Sequence, residues 1–181
     1  MADTALLVID MQEALIDGAW QIDRVVSNVS ALLDRAHRAR VPVVYMQHCH
    51  AAYTDMMRGS PGWAIHAPIA PSRGDHVLEK TASDSFYRTE LDALLKRLGV
   101  KRVVVTGMQS EYCVDATCRA ALSHGFDVTL VADGHTTGRS HLSAETVIDH
   151  HNRVLGFLAH PDRTLTATPA EKVDFATASS R

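Results

Sequence analysis

The sequence predicts a single three-layer α/β/α domain, in which helices cover both faces of a parallel sheet. Short segments that are apolar throughout, as in strands buried on both faces, alternate along the chain with segments of helical spacing. With 181 residues, of which 46% are hydrophobic and 22% charged, the chain is long enough for one sizeable core and is not typical of disorder. No repeat or linker divides it, so we predict one domain over residues 1–181.

Six segments are predicted as strands. The first is the apolar run at residues 4–10, which ends in Asp10, and the second begins at Pro42 and ends at His48. The remaining four occupy residues 76–80, 101–107, 126–133 and 163–168. The last of these is the least regular.

Helices are predicted between the strands from apolar residues at helical spacing. They occupy residues 24–39, 91–98, 111–124 and 143–156. Thr89 with Asp92 resembles a capping box before the second helix, and Gly99 ends it. Residues 49–75 are rich in Pro, Gly, Ser and His without a clear period, which predicts a long loop of the kind that usually has a function.

Composition limits the class of partner and the compartment. A formal charge of −3 indicates neither nucleic acid nor an anionic membrane as a partner. The first apolar run is short and follows no basic segment, and no later run approaches the length of a membrane helix, so we expect a cytoplasmic protein. The three cysteines, Cys49, Cys113 and Cys118, are an odd number, which argues against a disulfide framework.

The carboxyl ends of the predicted strands bring three reactive residue types to one edge of the sheet. Asp10 ends the first strand, Lys80 ends the third, and Cys113 lies in the first turn of the helix after the fourth. The helix N-terminus and the Lys80 charge would favour a thiolate, and Asp10 could carry a proton from the thiol to a leaving amine. Each residue alone has an ordinary structural explanation, so spacing by itself leaves the nucleophile undecided.

The segment at residues 106–117, Thr-Gly-Met-Gln-Ser-Glu-Tyr-Cys-Val-Asp-Ala-Thr, resembles the nucleophile motif of the isochorismatase-like cysteine hydrolases. That superfamily includes nicotinamidases and N-carbamoylsarcosine amidases. Residues 5–12, 43–48 and 78–80, the last followed by Ser85 and Phe86, match other family segments in the same order. The resemblance extends over about residues 4–160.

The resemblance implies a six-stranded parallel sheet and a catalytic triad at Asp10, Lys80 and Cys113. It also implies a non-proline cis peptide bond between Met108 and Gln109, which would direct the amides of Gln109 and Cys113 into an oxyanion hole. Family members are commonly dimers or tetramers, so we expect a homodimer or homotetramer.

The presence of Cys113 separates two activities within this superfamily, whose ether-cleaving isochorismatases lack the cysteine. We therefore expect hydrolysis of an amide or related C–N bond through a thioester. Two alternatives stay open: an isochorismatase-type ether hydrolase in which Cys113 has no function, and a catalytically silent domain that serves assembly or partner binding.

We predict no cofactor and no metal. Nicotinamidases hold a metal with one Asp and two His; here His50 aligns with the first His, His48 stands in place of the Asp, and the second His has no clear counterpart. His66 is more similar to a histidine of the superfamily that binds no metal. The pair of His48 and His50 could in principle hold zinc, but loop histidines that line a pocket are the better interpretation.

The expected partner is a small molecule. Gln12 and His48 lie on the predicted catalytic edge, where they can hydrogen-bond a substrate, and Trp63, Phe86 and Tyr112 are candidates for contacting a flat one. The pattern does not identify that substrate.

Overall fold

The central sheet of the computed structural model is six-stranded and entirely parallel, as predicted, in the order β3-β2-β1-β4-β5-β6. The structure describes residues 3–138 and 141–175. The strands are β1 Thr4–Ile9, β2 Val43–His48, β3 His76–Lys80, β4 Arg102–Met108, β5 Asp127–Thr136 and β6 Leu165–Thr168. Strands β2 and β3 lie on one side of β1, and β4, β5 and β6 lie on the other. The strand order therefore reverses between β1 and β4, which is where open α/β sheets have their binding sites.

Helices cover both faces of this sheet, which confirms the three-layer α/β/α prediction. They are α1 Glu13–Ile16, α2 Ile22–Arg38, α3 Leu91–Arg97, α4 Asp115–Ser123 and α5 Ala144–Gly156. Successive residues of a strand point to opposite faces. Leu6 and Val8 of β1 therefore pack in the core beneath α2, whereas Leu7 and Ile9 pack in the core formed with α3, α4 and α5.

Of the element boundaries that differ from the prediction, two affect the site. The helix predicted at residues 111–124 begins as a π-helical turn, Ser110–Val114, which α4 continues. Strand β5 was predicted to end at residue 133. It instead continues to Thr136 through a shift in its register with β4.

The regions around residues 49–75 and 89–92 contain local structure that the pattern did not resolve. Three 3₁₀ turns, Thr54–Met56, Pro61–Trp63 and Ala67–Ile69, lie within the predicted loop. Helix α3 begins at Leu91 after Glu90, and the Thr89 hydroxyl accepts the N–H of Leu91 at 3.2 Å rather than forming the expected capping box. Within the described part of the chain, every helix is too short or too polar to cross a membrane.

Candidate active site

The carboxyl edge of the sheet brings Asp10, Lys80 and Cys113 together. Asp10 directly follows β1, Lys80 is the last residue of β3, and Cys113 lies in the π-helical turn after β4. Lys80 Nζ lies 2.7 Å from Asp10 Oδ2, and both side chains are fully buried. One polar atom each of Asp10, His48 and Cys113 lies within 4.8 Å of the other two, so the thiol is beside the carboxylate.

The Lys80 ammonium is fixed from several directions. Besides the Asp10 carboxylate, it contacts the carbonyl oxygens of Ala82 at 3.0 Å and Ser83 at 3.3 Å, to which it donates hydrogen bonds. His48 Nδ1 lies 3.3 Å away. A lysine that would ordinarily extend into solvent is thus held as a buried cation at the end of an edge strand.

The backbone of Asp10 adopts a φ of +48°, in the left-handed region. Aspartate and asparagine are among the few residues besides glycine that enter this region readily. The Asp10 N–H donates to the Met46 carbonyl at 2.9 Å, and its own carbonyl accepts the N–H of Gln12 at 2.8 Å. The chain thus turns at the end of β1 while Asp10 stays attached to β2.

Burial shifts the proton equilibrium of this group of residues. It raises the pKa of the Asp10 carboxyl, and the adjacent Lys80 ammonium opposes that rise. Burial and the negative charge of Asp10 together raise the pKa of the Cys113 thiol to about 12, while Lys80 acts in the opposite direction. Burial beside an acid thus favours the thiol over the thiolate expected from the position of Cys113 near a helix start.

A cavity of about 360 Å³ opens onto the thiol. Its lining residues come from the ends of β1, β2, β3 and β4, from α1 and from the loop predicted to be functional. They are Asp10, Leu15, His48, His50, Tyr53, Met56, Ser83, Gln109, Tyr112 and Cys113. This size suits a small molecule.

The predicted substrate contacts divide into two groups. His48 and Tyr112 line the cavity, and Tyr112 is 56% exposed. Of the other three, which all lie in the described part of the chain, Phe86 is a core residue stacked on His124 and Phe126. The carbonyl of Trp63 accepts hydrogen bonds from Gln12 and Gln47.

The side chain of Gln12 is occupied by the protein itself. Its Oε1 accepts the His48 N–H at 2.7 Å, and its Nε2 donates to the carbonyls of His48 and Trp63 at 3.1 and 2.8 Å. Gln12, Trp63 and Phe86 are not among the residues that line the cavity, contrary to expectation. Position near a strand end places a residue at the edge of the sheet but does not determine the direction of its side chain.

Sequence reasoning missed Leu15 and Ser83 on the cavity wall. Leu15 lies in α1, a four-residue helix too short for a periodic signal. The place of Ser83 at the site could have been predicted, because Ser83 lies only three residues after Lys80 in the sequence.

His48 and His50 both make contacts within the protein through Nδ1. Burial and Lys80 lower the pKa of His48, whose Nδ1 lies 3.3 Å from the Lys80 ammonium. His50 Nδ1 accepts the N–H groups of Ala52 and Tyr53. Among the described residues, one set of three His, Cys or acid side chains is close enough to share an ion, namely Asp10, His48 and Cys113. The Lys80 ammonium already neutralises the Asp10 carboxylate there and would repel a cation.

The peptide bond between Met108 and Gln109 is cis, which confirms the prediction from the resemblance. The π-helical turn that follows is held from outside the cavity. Ser110 Oγ lies 2.7 Å from His135 Nδ1, and His135 Nε2 lies 3.1 Å from Asn152 Oδ1. His135 was missed because β5 was predicted to end before it.

Comparisons with known proteins agree with this architecture. The isochorismatase domain model matches residues 4–158. A streptothricin hydrolase of Streptomyces noursei is 41% identical over 136 residues, which are 74% of this chain and 49% of that protein. Nicotinamidase 3 of Arabidopsis thaliana is 31% identical over 167 residues, which are 84% of this chain and 81% of the relative.

The chain spans only about half the length of the streptothricin hydrolases that it matches. Among solved structures, the N-carbamoylsarcosine amidase of Thermoplasma acidophilum is similar with a TM-score of 0.77 and 26% identity, over 94% of this chain and 98% of the other. The family model covers most of the sequence, and the six-stranded parallel sheet agrees with the fold of the similar structures. The chain therefore belongs to the isochorismatase family.

Proposed function

We propose that the protein is a cysteine-dependent hydrolase that cleaves a C–N bond in a small amide, lactam or ureido compound. One observation carries this proposal: the buried Asp10 carboxylate lies 2.7 Å from the Lys80 ammonium and beside the Cys113 thiol, at a cavity of about 360 Å³. This arrangement combines a nucleophile, a proton acceptor and a fixed cation at one place.

The acylation step begins with proton transfer. Asp10 takes the proton from Cys113 Sγ as the sulfur attacks the substrate carbonyl carbon, and the electron pair of the C=O bond moves onto oxygen. Once Asp10 is neutral, the Lys80 ammonium 2.7 Å from its carboxyl group stabilises the developing negative charge of the sulfur. Backbone N–H groups of Gln109 and Cys113 are the proposed donors to the oxyanion.

Collapse of the tetrahedral intermediate breaks the C–N bond. Asp10 returns its proton to the leaving nitrogen, ammonia or an amine departs, and the acyl group stays on Cys113 as a thioester. Water then gives a proton to Asp10 and attacks the thioester carbon. The C–S bond breaks, the sulfur recovers the proton from Asp10, and the acid product leaves.

The proton affinities fit this sequence of steps. A carboxyl whose pKa is raised by burial is a stronger base than an exposed one, and it can also protonate a leaving amine. Because its pKa is raised, Cys113 is mostly protonated at neutral pH, so it needs Asp10 to take its proton as it attacks.

The names of the relatives support C–N bond hydrolysis and leave the substrate open. They include a streptothricin hydrolase, a nicotinamidase and a ureidoacrylate amidohydrolase of Variovorax paradoxus. These substrates differ in size and charge, so we propose the bond type and not the compound. We also propose a homodimer or homotetramer, which light scattering on the purified protein measures directly.

The test is a screen of small amides that includes nicotinamide, pyrazinamide and carbamoyl compounds, with detection of released ammonia. We expect at least one amide to be hydrolysed, and Cys113→Ser and Cys113→Ala to abolish its turnover. Cys49→Ser is the matched control, because Cys49 is another free cysteine of the chain and lies outside the cavity lining. Full turnover by Cys113→Ala would contradict the proposal and favour chemistry without a thiol.

A further inference from the structure

Thr117 is a fully buried polar residue to which the mechanism above gives no role. It lies on α4, four residues after Cys113 and therefore about one helical turn further along. It is also part of the segment that resembles the family's nucleophile motif.

The Thr117 hydroxyl is the centre of a small buried hydrogen-bond network. Its Oγ1 accepts the backbone N–H of Ser85 at 3.2 Å and lies 2.8 Å from Ser85 Oγ. It also lies 3.5 Å from the carbonyl oxygen of Ser83, to which it donates. All of these contacts go to the short segment that follows Lys80, at residues 81–86.

The same segment holds the Lys80 ammonium. The carbonyls of Ala82 and Ser83 accept hydrogen bonds from Lys80 Nζ at 3.0 and 3.3 Å. The chain of contacts therefore runs from α4, through Thr117 and the segment at residues 81–86, to the cation beside Asp10. Cys113 lies at the start of the helical stretch in which Thr117 is found, so one hydroxyl connects the nucleophile's element to the site that holds the lysine.

We propose that Thr117 is a positioning residue whose hydroxyl sets the place of the Lys80 ammonium relative to the Cys113 thiol. Its catalytic consequence rests on the function proposed above, whereas its effect on the thiol does not require any substrate. Lys80 opposes the rise in the pKa of Cys113, so a lysine displaced from the thiol leaves that pKa higher still.

The test compares Thr117→Val with Thr117→Ser. Valine keeps the shape of threonine and removes its hydroxyl, whereas serine keeps the hydroxyl. Thr4→Val is the control for loss of a buried hydroxyl, because Thr4 is equally buried but lies at the amino end of β1.

The first measurement is the rate of Cys113 alkylation by iodoacetamide between pH 8 and 11, followed by peptide mass spectrometry so that the three cysteines are resolved. We expect the Cys113 alkylation rate at pH 10 to fall by about threefold or more in Thr117→Val, because the rate follows the thiolate fraction. Thr117→Ser and Thr4→Val should stay within about twofold of the unmodified protein.

The second measurement is kcat and KM on an amide found in the screen. We expect kcat of Thr117→Val to fall by about tenfold with little change in KM, because the substrate cavity is not lined by Thr117. If Thr117→Val is recovered in too small an amount, Ser85→Ala removes the 2.8 Å contact from the other side and is expected to act in the same direction.

An unchanged alkylation profile in Thr117→Val, or an equal change in Thr4→Val, would overturn the inference even if the unmodified protein hydrolyses amides. A changed profile confined to Thr117→Val, in a protein that hydrolyses none of the amides, would support the positioning role and count against the proposed function. The two failures are therefore distinguishable.

Discussion

At the scale of single residues, the site depends on two opposite charges that are both removed from water. Asp10 and Lys80 are each fully buried and lie 2.7 Å apart. Burying an ion costs several kcal/mol, and the partner charge and extra hydrogen bonds must offset that cost. The Ala82 and Ser83 carbonyls supply those bonds to the lysine.

Removing one charge of this pair should destabilise the fold more than removing both. Lys80→Met leaves the Asp10 carboxylate buried without its cation, so we expect a loss of about 3–5 kcal/mol in the free energy of unfolding. Lys80→Met combined with Asp10→Asn leaves two uncharged side chains and should recover most of that loss, while remaining inactive. Urea denaturation and the amide assay measure the two properties separately, and a Lys80→Met protein as stable as the original would contradict this view of the pair.

Asp10→Asn should move thiol reactivity and turnover in opposite directions. Asparagine tolerates the φ of +48° at this position, so the backbone can stay in place. Burial and, after it, the Asp10 charge raise the pKa of Cys113 to about 12, which leaves about one thiol in ten thousand ionised at pH 8. Removal of the Asp10 charge takes away one of these causes and increases the thiolate fraction, so Cys113 alkylation at pH 8 should accelerate.

Amide turnover by Asp10→Asn should nevertheless be lost, because asparagine cannot accept the thiol proton. Alkylation and ammonia release, measured on the same preparation, give the comparison. Turnover that persists together with faster alkylation would show that a group other than Asp10 carries the proton.

The need for an ionised Asp10 also determines how kcat/KM decreases at acidic pH. Asp10 must be ionised to act as a base, and burial raises its pKa above the ordinary 3.8. As the pH falls through that raised pKa, kcat/KM should decrease in proportion to the ionised fraction. Initial rates between pH 4 and 8 check this, provided that circular dichroism shows the protein to be folded throughout. A rate that is constant down to pH 4 is the contrary result.

At the scale of elements, the close approach of β1 and β4 depends on one glycine. Gly107 has a φ of +118°, and a Cβ atom there would lie 2.0 Å from the carbonyl oxygen of Ile9. Gly107 precedes the cis peptide and the nucleophile turn, and Ile9 precedes Asp10. The pairing of these two strands therefore sets the separation of the acid and the thiol.

Gly107→Ala should prevent this approach, because neither backbone can yield without breaking the ladder between β1 and β4. We expect a loss of stability of several kcal/mol, about 3 or more, together with loss of turnover. Gly99→Ala is an informative comparison: Gly99 also has a positive φ, but nothing lies within 4 Å of an added Cβ. It should cost less than Gly107→Ala in thermal denaturation, and equal costs would contradict the steric argument.

The sequence predicted those parts of the site that depend on strand ends. Asp10, Lys80 and Cys113 converge because the carboxyl ends of parallel strands share one edge, a property of topology alone. The direction of individual side chains was not predictable from the sequence. Gln12, which hydrogen-bonds to the backbone, and Phe86, which packs in the core, are the two examples.

The register shift in β5 also lay beyond the pattern. The Asp133-Gly134 pair is typical of the end of a strand. Strand β5 nevertheless continues past it and places His135 beside Ser110. Such a shift depends on pairing with β4, a neighbour distant in sequence, and local propensity carries no information about it.

At the scale of the whole molecule, two apolar cores share one sheet. The core beneath α2 and the core formed with α3, α4 and α5 use alternate residues of the same central strands. Neither core can form without the sheet that supports both. We therefore expect residues 3–138 and 141–175 to unfold as one domain.

Scanning calorimetry should accordingly show a single unfolding transition for the purified protein. Destabilising one core, for example by Val29→Ala on the buried face of α2, should shift the whole transition to lower temperature and not split it. The same shift is expected for Leu95→Ala in the opposite core. Two resolved transitions in either variant would indicate that the layers are separate cooperative units.

The central claim is that Cys113 carries the acyl group during turnover, and the most direct test is to trap that species. The protein is mixed with an excess of the best amide from the screen, quenched in acid within milliseconds to seconds, and measured by intact and peptide mass spectrometry. The account predicts a transient mass increase equal to the substrate minus its leaving amine, located on the peptide that contains Cys113 and absent in Cys113→Ser. Turnover that continues at full rate with no acyl adduct on Cys113 at any quench time would contradict it.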